Sequence, residues 1–363
     1  MMKKLLFIVV LFMSSALLSQ GDEIEELDSL QYKPKIVGLP ILFYSPETRF
    51  GFGAAGFFSF KFDSYDTISR PSQINFGGAY TQEKQLLTYA DFDLWMSSNK
   101  FNVNAELGYY RFFYYFWGVG EEPREQESFN VNFPRIRFEG YYALNEGLYV
   151  GPKYTYDYFD ITSVDSLGRL GQNSYPGTEG GGISGLGLTA KYDTRNSNFF
   201  PTNGFNSVLS YEYFGKELGG DFNYHLAWVN LIKYFDLKKN RVVAANMYGR
   251  FSSGEVPFFH LSQIGGNSRM RGYYEGYHRD KQKMGIQLEY RTPVWWRFGA
   301  VFFAGNAMVA DQISNFNTKT LHTAAGMGLR FKVDEERNIN LRVDFGVTSD
   351  RTTGVYFTIG EAF

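Results

Sequence analysis

The feature that most constrains this chain is an alternation of apolar and polar side chains, with a period of two residues, from residue 36 onward. In residues 340–347, one face carries leucine, valine and phenylalanine, and the other carries asparagine, arginine, aspartate and glycine. Successive side chains of a β-strand point to opposite faces, so such a run predicts a strand between two unlike environments. The pattern recurs in residues 148–158, 185–192, 284–291, 322–333 and 355–363. The chain is therefore predicted to be all-β.

Composition supports strands and turns over helices. Aromatic residues make up 19% of the chain, and there are 39 glycines. Aromatic side chains favour strands, and glycine favours tight turns. The formal charge of -2 argues against a nucleic-acid partner, which would require a basic face. The chain has no cysteine, so disulfide bonds play no part in its stability.

The N-terminus has the pattern of a secretory signal peptide. Lys3 and Lys4 precede an apolar run over residues 5–13, and small residues follow over 14–19. We assign residues 1–20 to the signal peptide, 21–35 to an acidic periplasmic linker and 36–363 to the folded domain. An uncleaved anchor is the alternative, although the apolar run is too short for a stable membrane span.

Alternating strands occur both in soluble sandwiches, which bury the apolar face, and in membrane barrels, which turn it toward lipid. Three features favour the barrel. Short connections near 97–100, 145–147, 238–240 and 335–337 alternate with long ones near 117–130, 163–181, 253–283 and 312–321. Aromatic residues such as Trp295 and Trp296 lie at strand ends, as in interfacial girdles. Finally, the chain ends on Phe363 at the tip of an alternating run.

Counting the alternating runs predicts a transmembrane β-barrel of about sixteen antiparallel strands. The length after the linker is enough for sixteen crossings, each of which needs about 9–11 residues when the strand is tilted. Closure matters because an open strand edge would leave unpaired backbone groups in lipid. We expect a monomeric barrel in the bacterial outer membrane, in contact with outer membrane lipid. A soluble protein of several sandwiches is the alternative.

The connection over residues 253–283 is long and polar, which in a compact domain indicates either function or disorder. It contains Gly265, Gly266, Arg271, Gly272 and Tyr273. Glycines permit tight backbone turns, and arginine presents a rigid fork of hydrogen-bond donors to acidic groups. We predict that this loop, between the eleventh and twelfth strands, folds into the lumen and is anchored there by Arg271. A solvated loop arginine is the alternative.

Several segments in combination resemble a known family. They are residues 43–48 with Gly51 and Gly53, 192–196 with 200–204, 265–266, 270–273, the run through Glu289, Arg291 and Pro293, and 328–330 with Asp344 and Phe363. Together they are similar to the BamA/TamA-like outer membrane assembly proteins, also called bacterial surface antigen proteins. The resemblance implies a sixteen-stranded barrel whose arginine loop is tucked into the lumen.

The resemblance also implies a function, which is to help polypeptides insert into or cross the outer membrane. Nascent outer membrane proteins are then expected partners. Family members normally carry polypeptide-transport-associated domains, and we expect this chain to be a short form without them that relies on a separate periplasmic partner. A passive or gated pore, and a surface antigen or adhesin, are the alternative functions.

In one position the chain departs from the family pattern. The family often places an aspartate in the thirteenth strand as the partner of the loop arginine, and this chain has Phe303 there. We therefore expect Glu289, on the polar face of the twelfth strand, to be the partner of Arg271.

Two further sets of residues are singled out. Asp193, Arg195, Pro201 and Gly204 are expected to shape a periplasmic turn with a structural role. Gly38, Pro40, Gly360 and Phe363 are expected at the seam between the first and last strands. Proline donates no hydrogen bond to a ladder, so Pro40 would weaken the seam if it faces the last strand. The alternative is that Pro40 only precedes the first strand.

The sequence gives no sign of catalysis or of a cofactor. The four histidines are His225, His260, His278 and His322. None lies in a serine-nucleophile motif or at a spacing typical of metal ligands. We therefore expect no enzymatic activity, no catalytic residues, no cofactor and no metal site.

Overall fold

The computed structural model describes residues 31–121, 123, 125–198, 200–334 and 338–363, and these form a closed antiparallel β-barrel. Sixteen strands make the wall, and each pairs with its neighbours in chain order until the last strand meets the first. The all-β fold and the count of sixteen strands confirm the prediction from alternation. The predicted signal peptide, and the predicted linker as far as residue 30, lie outside the described residues.

The elements are numbered in chain order. The wall strands are β1 (Lys35–Ser45), β2 (Arg49–Phe60), β3 (Ser72–Thr81), β4 (Leu86–Met96), β5 (Phe101–Phe116), β6 (Glu127–Asn145), β7 (Leu148–Val164), β8 (Gly181–Asp193), β9 (Gly204–Phe214), β10 (Tyr224–Asp236), β11 (Val242–Gly254), β14 (Gln282–Trp295), β15 (Phe298–Ala310), β16 (His322–Asp334), β17 (Ile339–Thr348) and β18 (Thr353–Ile359). Two short strands, β12 (Ser262–Ile264) and β13 (His278–Asp280), pair with each other inside the long loop. Short 3-10 helices cover Lys216–Leu218, Phe258–His260, Ile313–Asn315 and Thr318–Thr320. None of the described helices has the length and hydropathy that a membrane crossing requires.

The wall turns its apolar side chains outward and its polar side chains inward. On β14, Leu288 is 51% exposed, whereas the adjacent Glu289 is 0% exposed. On β17, Val343 is 43% exposed and the adjacent Asp344 is 0% exposed. A soluble sandwich would bury the apolar face instead. The observed distribution fits a wall surrounded by lipid, as in outer membrane barrels.

Connections at the two ends of the barrel differ in length. The end that carries residues 255–281 also carries the connections 117–126, 165–180, 215–223 and 311–321. The opposite end is closed by 97–100, 146–147, 237–241 and 296–297. The asymmetry is weaker than the sequence indicates. The end with the long loop also has three short connections, at residues 46–48, 82–85 and 349–352, and the opposite end has two longer ones, at residues 61–71 and 194–203.

The seam between β1 and β18 is the weakest junction of the wall. Tyr44 and Phe357 are the only pair in register there, whereas β10 and β11 are in register along their whole length. The prediction that the last strand continues to Phe363 is wrong. β18 ends at Ile359 because Gly360 adopts a φ of 84°, a left-handed conformation that turns the backbone out of the ladder.

The long loop, residues 255–281, packs against the wall through an aromatic cluster. Phe258 is fully buried, and its ring centre lies 5.6 Å from that of Phe116 and 5.1 Å from that of Phe129. Burying one phenylalanine side chain contributes about 1.5–3 kcal/mol. The cluster fixes the start of the loop to the strands β5 and β6.

Candidate functional site

The backbone of the glycine-rich motif requires its glycines. Gly265, Gly266 and Gly272 have φ angles of 111°, 105° and 117°, which side chains other than glycine rarely allow. A Cβ at Gly265 would also collide with the backbone carbonyl of Tyr274. These turns determine the direction in which the next side chains of the loop leave the backbone.

Arg271 lies between two carboxylates on different strands of the wall. Its Nη2 is 2.5 Å from Oε2 of Glu289 on β14, and its Nη1 is 2.5 Å from Oδ2 of Asp344 on β17. The side chains of all three residues are 0% exposed. The structure thus brings Arg271 and Glu289 together, as the sequence predicts, and adds Asp344 as a second acid.

Phe303, at the position where the family often has an aspartate, makes an aromatic contact with Arg271. The guanidinium carbon of Arg271 lies 3.6 Å from the ring centre of Phe303 on β15. A guanidinium group is planar and weakly hydrated, so it stacks on aromatic rings and still donates hydrogen bonds in its own plane. Phe303 therefore supports the arginine from one side while Glu289 and Asp344 bind its edge.

The two carboxylates belong to a larger buried ion-pair network. Glu289 also accepts from Nε of Arg291 at 2.8 Å, and Asp344 accepts from Nη1 of Arg330 at 2.6 Å. Nε of Arg330 in turn donates to Oε2 of Glu361 at 2.9 Å. Such a network orients its members, because an unpaired charge in this interior would be costly.

The network is suited to holding the loop rather than to catalysis. Its members are Arg271, Arg291, Arg330, Arg342, Glu289, Asp344 and Glu361. Arginine stays protonated in proteins, so it neither removes a proton nor attacks a substrate. The excess of arginines over carboxylates also disfavours a metal cation at this place.

Next to Arg271, the loop backbone touches the wall directly. The backbone N–H of Gly272 donates to the hydroxyl of Tyr356 on β18 at 3.0 Å. The hydroxyl of Tyr273 donates to Oδ1 of Asp350 at 3.0 Å. A Cβ on Gly346 of β17 would collide with the backbone carbonyl of Arg271, so a glycine in the wall is what permits this close approach.

Other parts of the loop reach strands on distant sides of the barrel. The side chain of Arg269 and the backbones of Glu275 and Arg279 provide these contacts. Their partners are Glu47 in the β1–β2 turn, Gly120 after β5, Asn230 on β10 and Asn246 on β11. The loop therefore bonds to the wall around much of its circumference.

The predicted turn residues meet in the connection between β8 and β9. Nε and Nη2 of Arg195 lie 2.9 Å from Oδ1 and Oδ2 of Asp193, which is a bidentate ion pair. Gly204 has a φ of 102°, and a Cβ there would collide with the backbone of Thr194. Pro201 is buried in the same connection. These bonds stay within the turn, as a structural role requires.

The four predicted seam residues do not lie together. Gly38 and Pro40 are within β1, opposite Gly56 and Ala54 of β2, so Pro40 does not merely precede the strand. Neither residue is in register with β18. Gly360 ends the last strand.

Phe363 is not a seam residue. Its carbonyl accepts from Nη2 of Arg291 at 2.6 Å, and its side chain packs against the buried cluster of Ile232, Tyr234, Val242 and Ala244. Arg291 is on β14 and the cluster is on β10 and β11, so the chain after Ile359 leaves the wall at the seam and turns to the interior.

Sequence reasoning missed two acids and a glycine of this site. Alternation puts Asp344 and Gly346 on the polar face of their strand, and Asp344 is also among the residues that carry the family resemblance, but neither signal identifies them as loop contacts. The sequence does mark Glu361 as unusual, because this charged residue interrupts the apolar face of the last alternating run. The interruption marks the point where the chain has already left the wall.

The comparison with family models decides the classification. The model of the Omp85 superfamily domain matches residues 43–363. The chain belongs to the Omp85 superfamily. This confirms the resemblance to BamA/TamA-like proteins at the level of the family, and it identifies the chain as a bacterial outer membrane protein.

Solved structures agree with the Omp85 fold. BamA from Haemophilus ducreyi lacking POTRA domains 1-3 is 14% identical with a TM-score of 0.60, over 90% of this chain and 70% of that one. CdiB from Acinetobacter baumannii is 10% identical with a TM-score of 0.58, over 92% and 66%. CdiB from Escherichia coli is 10% identical with a TM-score of 0.56, over 89% and 62%. This chain thus spans less than two thirds of each CdiB chain, and at these identities the likeness concerns the fold alone. No curated protein matches the sequence.

Proposed function

We propose that this Omp85 barrel inserts polypeptides into the outer membrane or passes them across it. The observation that carries the proposal is the seam, where Tyr44 and Phe357 are the only residues of β1 and β18 in register. Most of β1 therefore presents backbone groups without a partner strand on that side. Unpaired backbone groups are costly in lipid, and an added strand satisfies them. A client strand that pairs with β1 would gain these hydrogen bonds.

The anchored loop has a complementary role in this proposal. Its contacts with strands around the barrel support a position in the lumen, from which it would brace the wall. Arg271 binds Glu289 and Asp344 of β14 and β17 and stacks on Phe303 of β15, so the wall beside β18 is held from inside. The side of the seam formed by β1 has only β2 as a full partner. The β18 edge of the seam is then braced through three neighbouring strands, whereas the β1 edge bonds to the loop through Glu47 in the β1–β2 turn.

The partners in this proposal are nascent outer membrane proteins and a separate periplasmic protein that delivers them. A passive or gated pore, or a surface antigen, is the alternative. A pore needs a continuous water path, and the contacts of the loop with β5, β11 and β17 would narrow such a path through the lumen. We therefore favour the assembly role, which we expect to involve no enzymatic chemistry.

The proposal is tested by reconstitution. The purified chain is placed in liposomes, a urea-unfolded outer membrane barrel is added, and its folding is followed by the change in gel mobility of unheated samples. We expect folding several-fold faster than in protein-free liposomes and in liposomes that hold an unrelated barrel. Equal rates, together with a steady conductance in planar bilayers, would overturn the assembly role and indicate a pore.

A further inference from the structure

Three side chains from separate segments converge at the end of the barrel that carries the long loop. They are His278 on β13, His322 at the start of β16 and Asp350 in the connection between β17 and β18. One donor atom from each lies within 4.8 Å of the other two. Nε2 of His278 is 2.6 Å from Oδ2 of Asp350, and Nδ1 of His322 is 3.6 Å from the same oxygen.

From this geometry we propose that His278, His322 and Asp350 bind one divalent transition-metal ion, with Zn²⁺ as the preferred ion. Two imidazoles and a carboxylate are the donors that Zn²⁺ and its neighbours in the first transition row favour, whereas Mg²⁺ and Ca²⁺ favour oxygen alone. Three protein ligands leave one position for water in a tetrahedral site. Among the residues that the structure describes, this is the one group of three such side chains within ligand distance.

The surroundings of the carboxylate are those of a metal ligand. Oδ1 of Asp350 accepts from the hydroxyls of Tyr273 and Ser349 at 3.0 and 3.1 Å, so this oxygen is already fixed. The other oxygen, Oδ2, is the one that faces both histidines. Hydrogen bonds of this kind orient a ligand and hold its free oxygen in place for an ion.

Both rings would reorient when they bind an ion. They are stacked, with ring centres 3.6 Å apart and planes 24° apart, so each must rotate about its χ2 torsion before both lone pairs point to one ion. Nδ1 of His278 and Nε2 of His322 are buried and have no hydrogen-bond partner. The nitrogens that face Asp350 are Nε2 of His278 and Nδ1 of His322, and these are the ones that would bind the ion.

Binding would add a metal-mediated connection to the bonds between the loop and the wall. His278 belongs to the loop, whereas His322 and Asp350 belong to the wall strands and connections next to the seam. Tyr273 of the glycine-rich motif touches Asp350 directly. The ion would therefore hold the loop in place independently of Arg271. This inference does not rest on the proposed function.

The test uses the full chain, purified in detergent without a polyhistidine tag and freed of metal by a chelator. Calorimetric titration with Zn²⁺ is expected to give one ion per chain, and titration with Mg²⁺ is expected to give none. Co²⁺ is expected to produce the visible absorption of a tetrahedral site.

Variants locate the site. His322→Ala and Asp350→Asn are expected to lower Zn²⁺ affinity by at least tenfold and to abolish the Co²⁺ absorption. The matched control is His225→Ala, which removes an exposed histidine on β10 and is expected to leave binding unchanged. The asparagine variant keeps the shape of the side chain, so it separates lost ligation from lost folding. Failure of the unmodified chain to bind Zn²⁺, or equal binding by Asp350→Asn and His322→Ala, would overturn the proposal.

Discussion

The guanidinium carbon of Arg271 lies 3.6 Å from the centre of the Phe303 ring, so the loop arginine is stacked on an aromatic side chain of the wall. Its two terminal nitrogens bind carboxylates on two other strands. A lysine has a single charged nitrogen and no flat surface, so it cannot reproduce this arrangement. The site therefore depends on the shape of the arginine as well as on its charge.

Arg271→Ala tests the contribution of this anchor to stability. Removing one partner of a buried ion pair typically costs about 3–5 kcal/mol. Glu289 and Asp344 each keep another arginine, so we expect a loss of about 3 kcal/mol, at the lower end of that range. The measurement is urea unfolding in detergent micelles. The control is Arg351→Ala, which changes an exposed arginine in the connection between β17 and β18. Equal stability of the two variants would contradict the anchor.

Arg271→Lys separates shape from charge. The lysine keeps a positive charge in the network but loses one carboxylate contact and the stacking on Phe303. We expect the loop to become more sensitive to proteases than in the unmodified chain, at unchanged barrel mobility on gels. Protection of the loop equal to that of the unmodified chain would show that charge alone is sufficient.

Gly346→Ala tests the close approach of the loop to the wall. The added Cβ would collide with the backbone carbonyl of Arg271, so we expect the loop to move away and the ion pair to Asp344 to weaken. The matched control is Gly38→Ala on β1, where an added Cβ meets no atom within 4 Å. Thermal unfolding in micelles is expected to show a clear loss for the first variant and little change for the second. A harmless Gly346→Ala would show that the loop does not pack as described.

The contribution of Glu47 to the stability of the folded chain is expected to depend on pH. Oε1 of Glu47 accepts from the backbone N–H of Glu275 at 2.9 Å, and burial raises the pKa of Glu47 above its usual value of 4.5. A carboxyl group with a raised pKa stabilises the folded state most below its unfolded pKa. That contribution is lost as the pH rises through the folded pKa. The folded state should therefore be most stable in acid and lose stability toward neutral pH, because the charged Glu47 is costly to bury even though the N–H of Glu275 favours the charged form.

Glu47→Gln measures this effect, because glutamine keeps the acceptor oxygen and carries no charge. We expect the Tm of the unmodified chain to fall relative to that of the glutamine variant as the pH is raised from acid to neutral. Glu146→Gln, an exposed change in the connection between β6 and β7, serves as the control. A Tm difference that does not change with pH would refute the prediction.

The wall could be predicted from the sequence because its signal is local. Alternation within each strand puts Leu288 and Val343 on the apolar face and Glu289 and Asp344 on the polar face. In a membrane barrel the apolar face meets lipid and the polar face meets the lumen. The number of strands follows from the number of such runs. The two short strands of the long loop were missed because three residues are too few to show a period.

The contacts of the site could be predicted only in part. Alternation places Glu289 and Asp344 on one face of their strands, but it does not say which polar residue meets the loop. Asp344 is 73 residues from Arg271 in the sequence, and only the closed barrel brings them together. His278 and His322 are likewise on separate segments, so their spacing in the sequence does not predict their contact. The C-terminal residues were misassigned because Gly360 ends the strand through its backbone, which alternation does not report.

Pairing of a client strand with β1, as proposed, requires β1 and β18 to part, and a disulfide across the seam tests this most directly. The chain has no cysteine, so Tyr44→Cys with Phe357→Cys introduces one defined pair. A second pair, Phe52→Cys with Tyr80→Cys, joins β2 to β3 as the control. With the seam fully oxidised, we expect insertion of client barrels into liposomes to stop and to return on reduction, while the control pair stays active throughout. Full insertion activity with the seam completely crosslinked would contradict the account.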